Sequence, residues 1–173
     1  GTLQGFYLED PNCDGLITTS NGIFVYSTSI TNVGVGDRMQ VTGTVVEYQG
    51  LTEINNISGV AVLGTGTVTP TDITLPIASV SDWERYEGML LRFPGTMTVA
   101  DNEDWIQYGQ LLMAPARLWQ PTNNTDPNDV IASGNSSTGN TNVGAINAAA
   151  ALNARNSILL DDGRTNSYPT PIP

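Results

Sequence analysis

Between Gly5 and about Leu63 the chain alternates short runs rich in Val, Ile, Tyr, Phe and Thr with turn-forming residues, which return roughly every eight to twelve positions. That spacing predicts short antiparallel strands. "GFYLED" puts Phe6 and Leu8 on one face and Tyr7 and Glu9 on the other. "GIFVYS" sets Ile23 and Val25 against Phe24 and Tyr26, so both of its faces are apolar and it is expected at the centre of a sheet. A long strand is predicted from about Arg38 to Tyr48, followed by a tight turn at Gln49-Gly50 and a short return strand through Ile54. Gly43, inside the long strand, predicts a bulge of the kind with which a small barrel turns a corner.

The pattern weakens after Leu63. "LGTGTVTPTDITLPIA" carries Pro70 and Pro76 and reads as an extended connector. Ser81 with Glu84 three residues on forms a capping box, which predicts a helical turn over 81–87. Strands follow in "MLLRFPGTMTVA" and "QLLMAPARLWQP", then a loop over 121–146 composed mostly of Asn, Ser, Thr and Gly. A short Ala-rich helix is predicted over about 147–153, and a strand over 157–160.

Composition narrows the chemistry. Among 173 residues, six cations face seventeen carboxylates for a net charge of −11, and every cation is arginine. This balance opposes attraction to polyanions and anionic membrane surfaces, and no stretch reaches the length of a membrane span. Histidine is absent, which removes Ser-His-Asp and Cys-His catalysis and the usual catalytic zinc sites. Cys13 is the only cysteine, so no intrachain disulfide can form, and its acidic neighbours do not favour a reactive thiolate.

One loop has the beginnings of a calcium site. Asp10, Asn12 and Asp14 offer oxygens at alternate positions, Gly15 stands sixth where a sharp turn is needed, and Leu16 supplies the seventh-position carbonyl. Thr18 and Asn21 occupy the ninth and twelfth places, and the amide at Asn21 replaces the usual bidentate carboxylate. A weak Ca2+ site on Asp10, Asn12, Asp14, Leu16, Thr18 and Asn21 is one reading. The other is a polar turn capped by Asp10 and Asp14 through side-chain to backbone bonds. Asp161-Asp162-Gly163 and the group Asp101, Glu103 and Asp104 suit solvated turns better than a second metal or acid–base site.

Taken in order, "GFYLEDPNCDG…SNGIFVY", "VGDRMQVTGTVVEYQGLTEINN", "ERYEGMLLRF", "RLWQPTN" and "NARNSILLDDG" resemble the OB-fold region that precedes the catalytic domain of large bacterial extracellular nucleases of the endonuclease/exonuclease/phosphatase type. The resemblance implies a mainly β chain of two tandem OB-like small barrels, 1–67 and 68–173, with one or two short helices. Each barrel would be incomplete here: the family's strand before "GFYLED" and its segment after "DDG" lie outside this sequence, which is expected to be a window on a longer polypeptide. In that family an acidic residue often stands where this chain has Asn21. Its implied role is that of a secreted, non-catalytic spacer or nucleic-acid-positioning module, partnered by the parent's phosphodiester-hydrolysing domain. OB-type sheets stack bases on aromatics beside a basic groove, which nominates Tyr7, Tyr26, Arg38 and Tyr48 for single-stranded nucleic acid; alternation equally allows several of them a core or inter-barrel role. A second reading, a self-assembling module whose open strand edges are completed by neighbouring copies, belongs to a different functional class.

Overall fold

In the computed structural model, residues 3–12, 15–16, 18–127 and 142–171 are described. The protein is mainly β, with a few short helices, and the described strands form no closed barrel. Two compact units divide the chain: 1–73 with 81–94, and 74–80 with 95–173. The expected division at 67/68 differs from this in assigning 68–73 and 81–94 to the second unit.

The first unit is built on a four-stranded sheet in the order β1-β2-β4-β3, from β1 (Gly5–Glu9), β2 (Gly22–Tyr26), β3 (Asp37–Tyr48) and β4 (Leu51–Thr65). β1 pairs antiparallel to β2, β2 parallel to β4, and β3 antiparallel to β4. β2 is central, as its two apolar faces require: Phe24 and Val25 point to opposite sides and both are buried. The β3–β4 turn has positive φ at both Gln49 and Gly50, the geometry whose twist matches a two-residue hairpin. The ladder shifts register between Thr42 and Thr44, leaving Gly43 as the bulge its position predicts.

β4 runs eleven residues beyond the expected end at Ile54. Asn55-Asn56 reads locally as a chain-terminating turn, but Asn56 absorbs the irregularity at φ 46 and the strand resumes, pairing Val60 with Val41 and Val62 with Met39. Asparagine is among the few residues that adopt this conformation readily.

The segment 81–94 is fastened to this sheet. Leu90 N–H donates to Glu9 Oε2 at 2.7 Å, Thr52 N–H to Glu87 Oε2 at 3.1 Å, and Ser20 Oγ to the Glu87 carbonyl at 2.5 Å. Glu87 thereby satisfies a β4 amide just outside the β2–β4 pairing. The capping-box turn forms as a 3-10 helix, Val80–Tyr86. A short parallel pair, β5 (Thr71–Asp72) with β6 (Leu91–Arg92), sets Asp72 in register with Arg92. The two side chains form a two-pronged ion pair at 2.5 and 2.9 Å, and the guanidinium holds the Asp72 carboxyl below its ordinary range.

The second unit carries the antiparallel sheet β7-β8-β9, from β7 (Thr98–Asp101), β8 (Leu111–Ala114) and β9 (Ile158–Leu160). Its helices are α1 (Trp105–Tyr108), α2 (Pro121–Asn124) and α3 (Val143–Arg155). α3 is longer than the predicted 147–153 because Asn142, whose side chain donates to the Asp126 carbonyl, opens it a turn earlier by accepting from Ile146 N–H. Leu75, Ile77 and Ala114 form the buried apolar centre, and Arg155 Nη1 donates to the Ile77 carbonyl at 3.1 Å. The middle of the predicted 121–146 loop lies outside the described residues. Among the described residues no helix is long and apolar enough to cross a membrane.

Candidate functional site

Pairing brings the aromatic residues of three strands to one face of the first unit's sheet. Tyr7 is the cross-strand partner of Phe24, Phe24 is in register with Glu53, and Glu53 is in register with Val46. Residues in register share a face, and so do residues two apart along a strand. Tyr26 and Tyr48 therefore join Tyr7, Phe24 and Glu53 on that side.

Phe24 is buried and packs its ring 5.0 Å from that of Tyr7, centroid to centroid, with a 53° tilt. The tyrosines are open to solvent: Tyr7 is 52% exposed, Tyr26 42% and Tyr48 59%. Their polar tips are tethered. Tyr26 Oη donates to Gln4 Oε1 at 3.2 Å, and Gln49 Nε2 donates to Tyr48 Oη at 3.5 Å. Tyr7, Tyr26 and Tyr48 are surface rings rather than core residues, while Phe24 is the core member of the set.

Tyr26 and Tyr48 line a half-open cavity of about 350 Å3 together with Glu53, Asn55 and Asn56. Glu53 is only 5% exposed, and Asn55 Nδ2 donates to its Oε1 at 3.4 Å, the long end of hydrogen-bonding distance. Asn56 Nδ2 donates in turn to Asn55 Oδ1 at 3.1 Å. Glu53, Asn55 and Asn56 escaped sequence reasoning. Alternation assigns Glu53 to the face of Leu51 and Asn55, but its neighbour Phe24 is set by a parallel pairing between strands far apart in sequence.

Arg38 does not join this site. It is exposed at the opposite end of β3, opposite Gly64 and ten residues from Tyr48, roughly 33 Å along an extended strand. The basic groove expected beside the rings is thus not built from it.

The candidate calcium loop joins β1 to β2. Asp10 N–H donates to the Asn21 carbonyl at 2.9 Å, which brings the two ends of the loop together, and Gly15 makes its sharp turn at φ 75. Asp10 Oδ1 accepts from Asn12 N–H at 2.8 Å, the local turn bond of the alternative reading. Asp14 and Cys13 lie outside the described residues. Asp10, Asn12, Leu16, Thr18 and Asn21 offer oxygen donors, and no cluster of three or more His, Cys, Asp or Glu side chains suited to a metal occurs among the described residues.

The acidic groups of the second unit make turns. Asp161 Oδ1 accepts from Gly163 N–H, Asp162 Oδ1 from Arg164 N–H, and Asp101 Oδ1 from Glu103 N–H, at 2.7 to 2.9 Å. Asp161 and Asp101 are exposed turn residues, whereas the Asp162 side chain is only 10% exposed and its Oδ2 lies 3.5 Å from Arg164 Nε, so the solvated-turn reading does not describe it.

Compared with family models, curated proteins and solved structures, the chain gives no match.

Proposed function

We propose that this chain is a non-catalytic module that holds single-stranded nucleic acid on the Tyr7–Tyr26–Tyr48 face, acting beside a separate phosphodiester-hydrolysing domain of a secreted nuclease-like protein. The observation that carries the reading is three exposed tyrosines from three strands on one sheet face. Base–aromatic stacking is sequence-tolerant because every base has a π-face.

Strand order supports the finer, OB-like reading. A five-stranded OB barrel without its opening strand leaves a hairpin whose second member pairs in parallel with the last strand, and β1-β2-β4-β3 with parallel β2 and β4 has that arrangement. The second and third strands of an OB barrel carry its usual ligand face, and they correspond to β1 and β2, which bear Tyr7, Phe24 and Tyr26. For the second unit the OB-like reading rests on the sequence resemblance.

A net charge of −11 sets the character of the binding. With no arginine among the residues lining the cavity, stacking rather than counterion release supplies the affinity, so salt dependence is shallow. Calcium on the Asp10–Asn21 loop would offset part of the repulsion and brace the β1–β2 hairpin. Fluorescence anisotropy with a labelled mixed-sequence single strand should show saturable binding that changes little between 50 and 200 mM salt, strengthens in millimolar calcium, and exceeds binding to the matching duplex. Absence of single-strand binding with and without calcium rejects the reading, and capture of oligosaccharides instead would reassign the same face.

A self-assembling module is the second reading, favoured by the edges of the first sheet. Among the described strands β1 and β3 each have one paired side, and at twelve residues β3 is long for an edge strand. Light scattering across a concentration series should then report species larger than one chain. A one-chain mass throughout removes this alternative.

A further inference from the structure

We infer that the Tyr26–Tyr48 cavity selects guanine from a single strand, with Glu53 reading its Watson–Crick edge. The inference rests on the single-strand reading above and deepens it. Glu53 sits at the middle of the sheet face, between Phe24 on β2 and Val46 on β3, and is 95% removed from solvent while lining the cavity. Its side chain is in neither of the two ion pairs found among the described residues, and the contact from Asn55 is long. A buried carboxylate calls for donors, and as an acceptor-only group it can take two side by side.

The bases differ in what they offer such a group. Guanine alone presents two adjacent donors, N1–H and the N2 amino group, which match the two carboxylate oxygens. Cytosine and adenine place one amino donor beside a ring-nitrogen acceptor, and thymine places its N3–H between two carbonyls. Each of these three sets a lone pair against a carboxylate oxygen. Guanine O6, beside N1–H, accepts hydrogen bonds, and the amides of Asn55 and Asn56 are the donors on the same cavity wall. Stacking on the tyrosines supplies affinity for any base, and Glu53 supplies the difference between bases.

The test is a set of oligothymidylates carrying one central guanine, inosine, adenine or cytosine, titrated against the full chain. The guanine strand is expected to bind at least about five-fold more tightly than the adenine, cytosine and all-thymine strands, the scale of a two-bond base contact. Inosine, which lacks only the N2 amino group, should fall between. Glu53→Gln presents an amide N–H2 where guanine needs an acceptor, so it should bring the affinity for the guanine strand down to that for the adenine and cytosine strands. The inosine comparison needs no variant and stands even if that substitution disturbs folding. Equal affinity for all five strands, the all-thymine one included, overturns the guanine assignment and leaves the single-strand reading standing; no binding to any strand overturns both.

Discussion

Replacing Tyr26 or Tyr48 with alanine is expected to weaken single-strand binding about five-fold or more each, because stacking one base on one aromatic ring contributes about 1–3 kcal/mol. The rings lie diagonally across Glu53 on different strands, so they serve different nucleotides and their losses should combine to about thirty-fold or more in the double variant. Folding should be little affected, since both residues are exposed and neither fills the core. Phenylalanine at either position keeps the π-face and should retain most of the affinity. Tyr7 behaves differently: its ring covers Phe24, so Tyr7→Ala uncovers an apolar core residue and lowers stability as well as binding. Anisotropy titrations with a melting curve for each variant separate these effects. Unchanged affinity in the Tyr26/Tyr48 double variant would remove the stacking face from the account.

What the sequence reveals about this face depends on how far apart in the chain the determining contacts lie. The central position of β2 is legible because Phe24 and Val25 are adjacent and both apolar, which only a strand covered on two sides accommodates. The Gly43 bulge and the Gln49-Gly50 turn are legible for the same reason: backbone geometry there is written in one or two residues. Glu53 is not legible. In "LTEINN" it looks like an outward-facing polar residue, and only the β2–β4 pairing, across about thirty residues of chain, sets it beside Phe24 under a cavity. Asn55-Asn56 misleads in the opposite direction, since a dipeptide that usually ends a strand here kinks one that continues. Its strand nominates Arg38, yet the length of that strand carries it away from the rings.

The same non-local logic makes Gly22 a position where one added methyl group should be costly to the first unit. Segment 81–94 approaches the sheet so closely at Gly22 that a Cβ there would stand 2.6 Å from Met89 N and closer still to the Gly88 carbonyl group. Those are backbone atoms, so no side chain can rotate aside. Gly88 itself has φ 69, a conformation that suits glycine and fixes the path of the opposing segment. Gly22→Ala must therefore push the segment off, straining the Glu9, Ser20 and Glu87 hydrogen bonds that tie it to β1, the β1–β2 loop and β4. Overpacking of this kind costs about 1–3 kcal/mol, and the upper part of that range is expected where backbone meets backbone. Gly95→Ala, where nothing lies within 4 Å of the added carbon, is the matched control and should stay within about 0.5 kcal/mol. Urea unfolding of both variants checks the contrast. A Gly22→Ala midpoint equal to that of Gly95→Ala would mean that the segment does not press on the sheet, and that the first unit is held together without it.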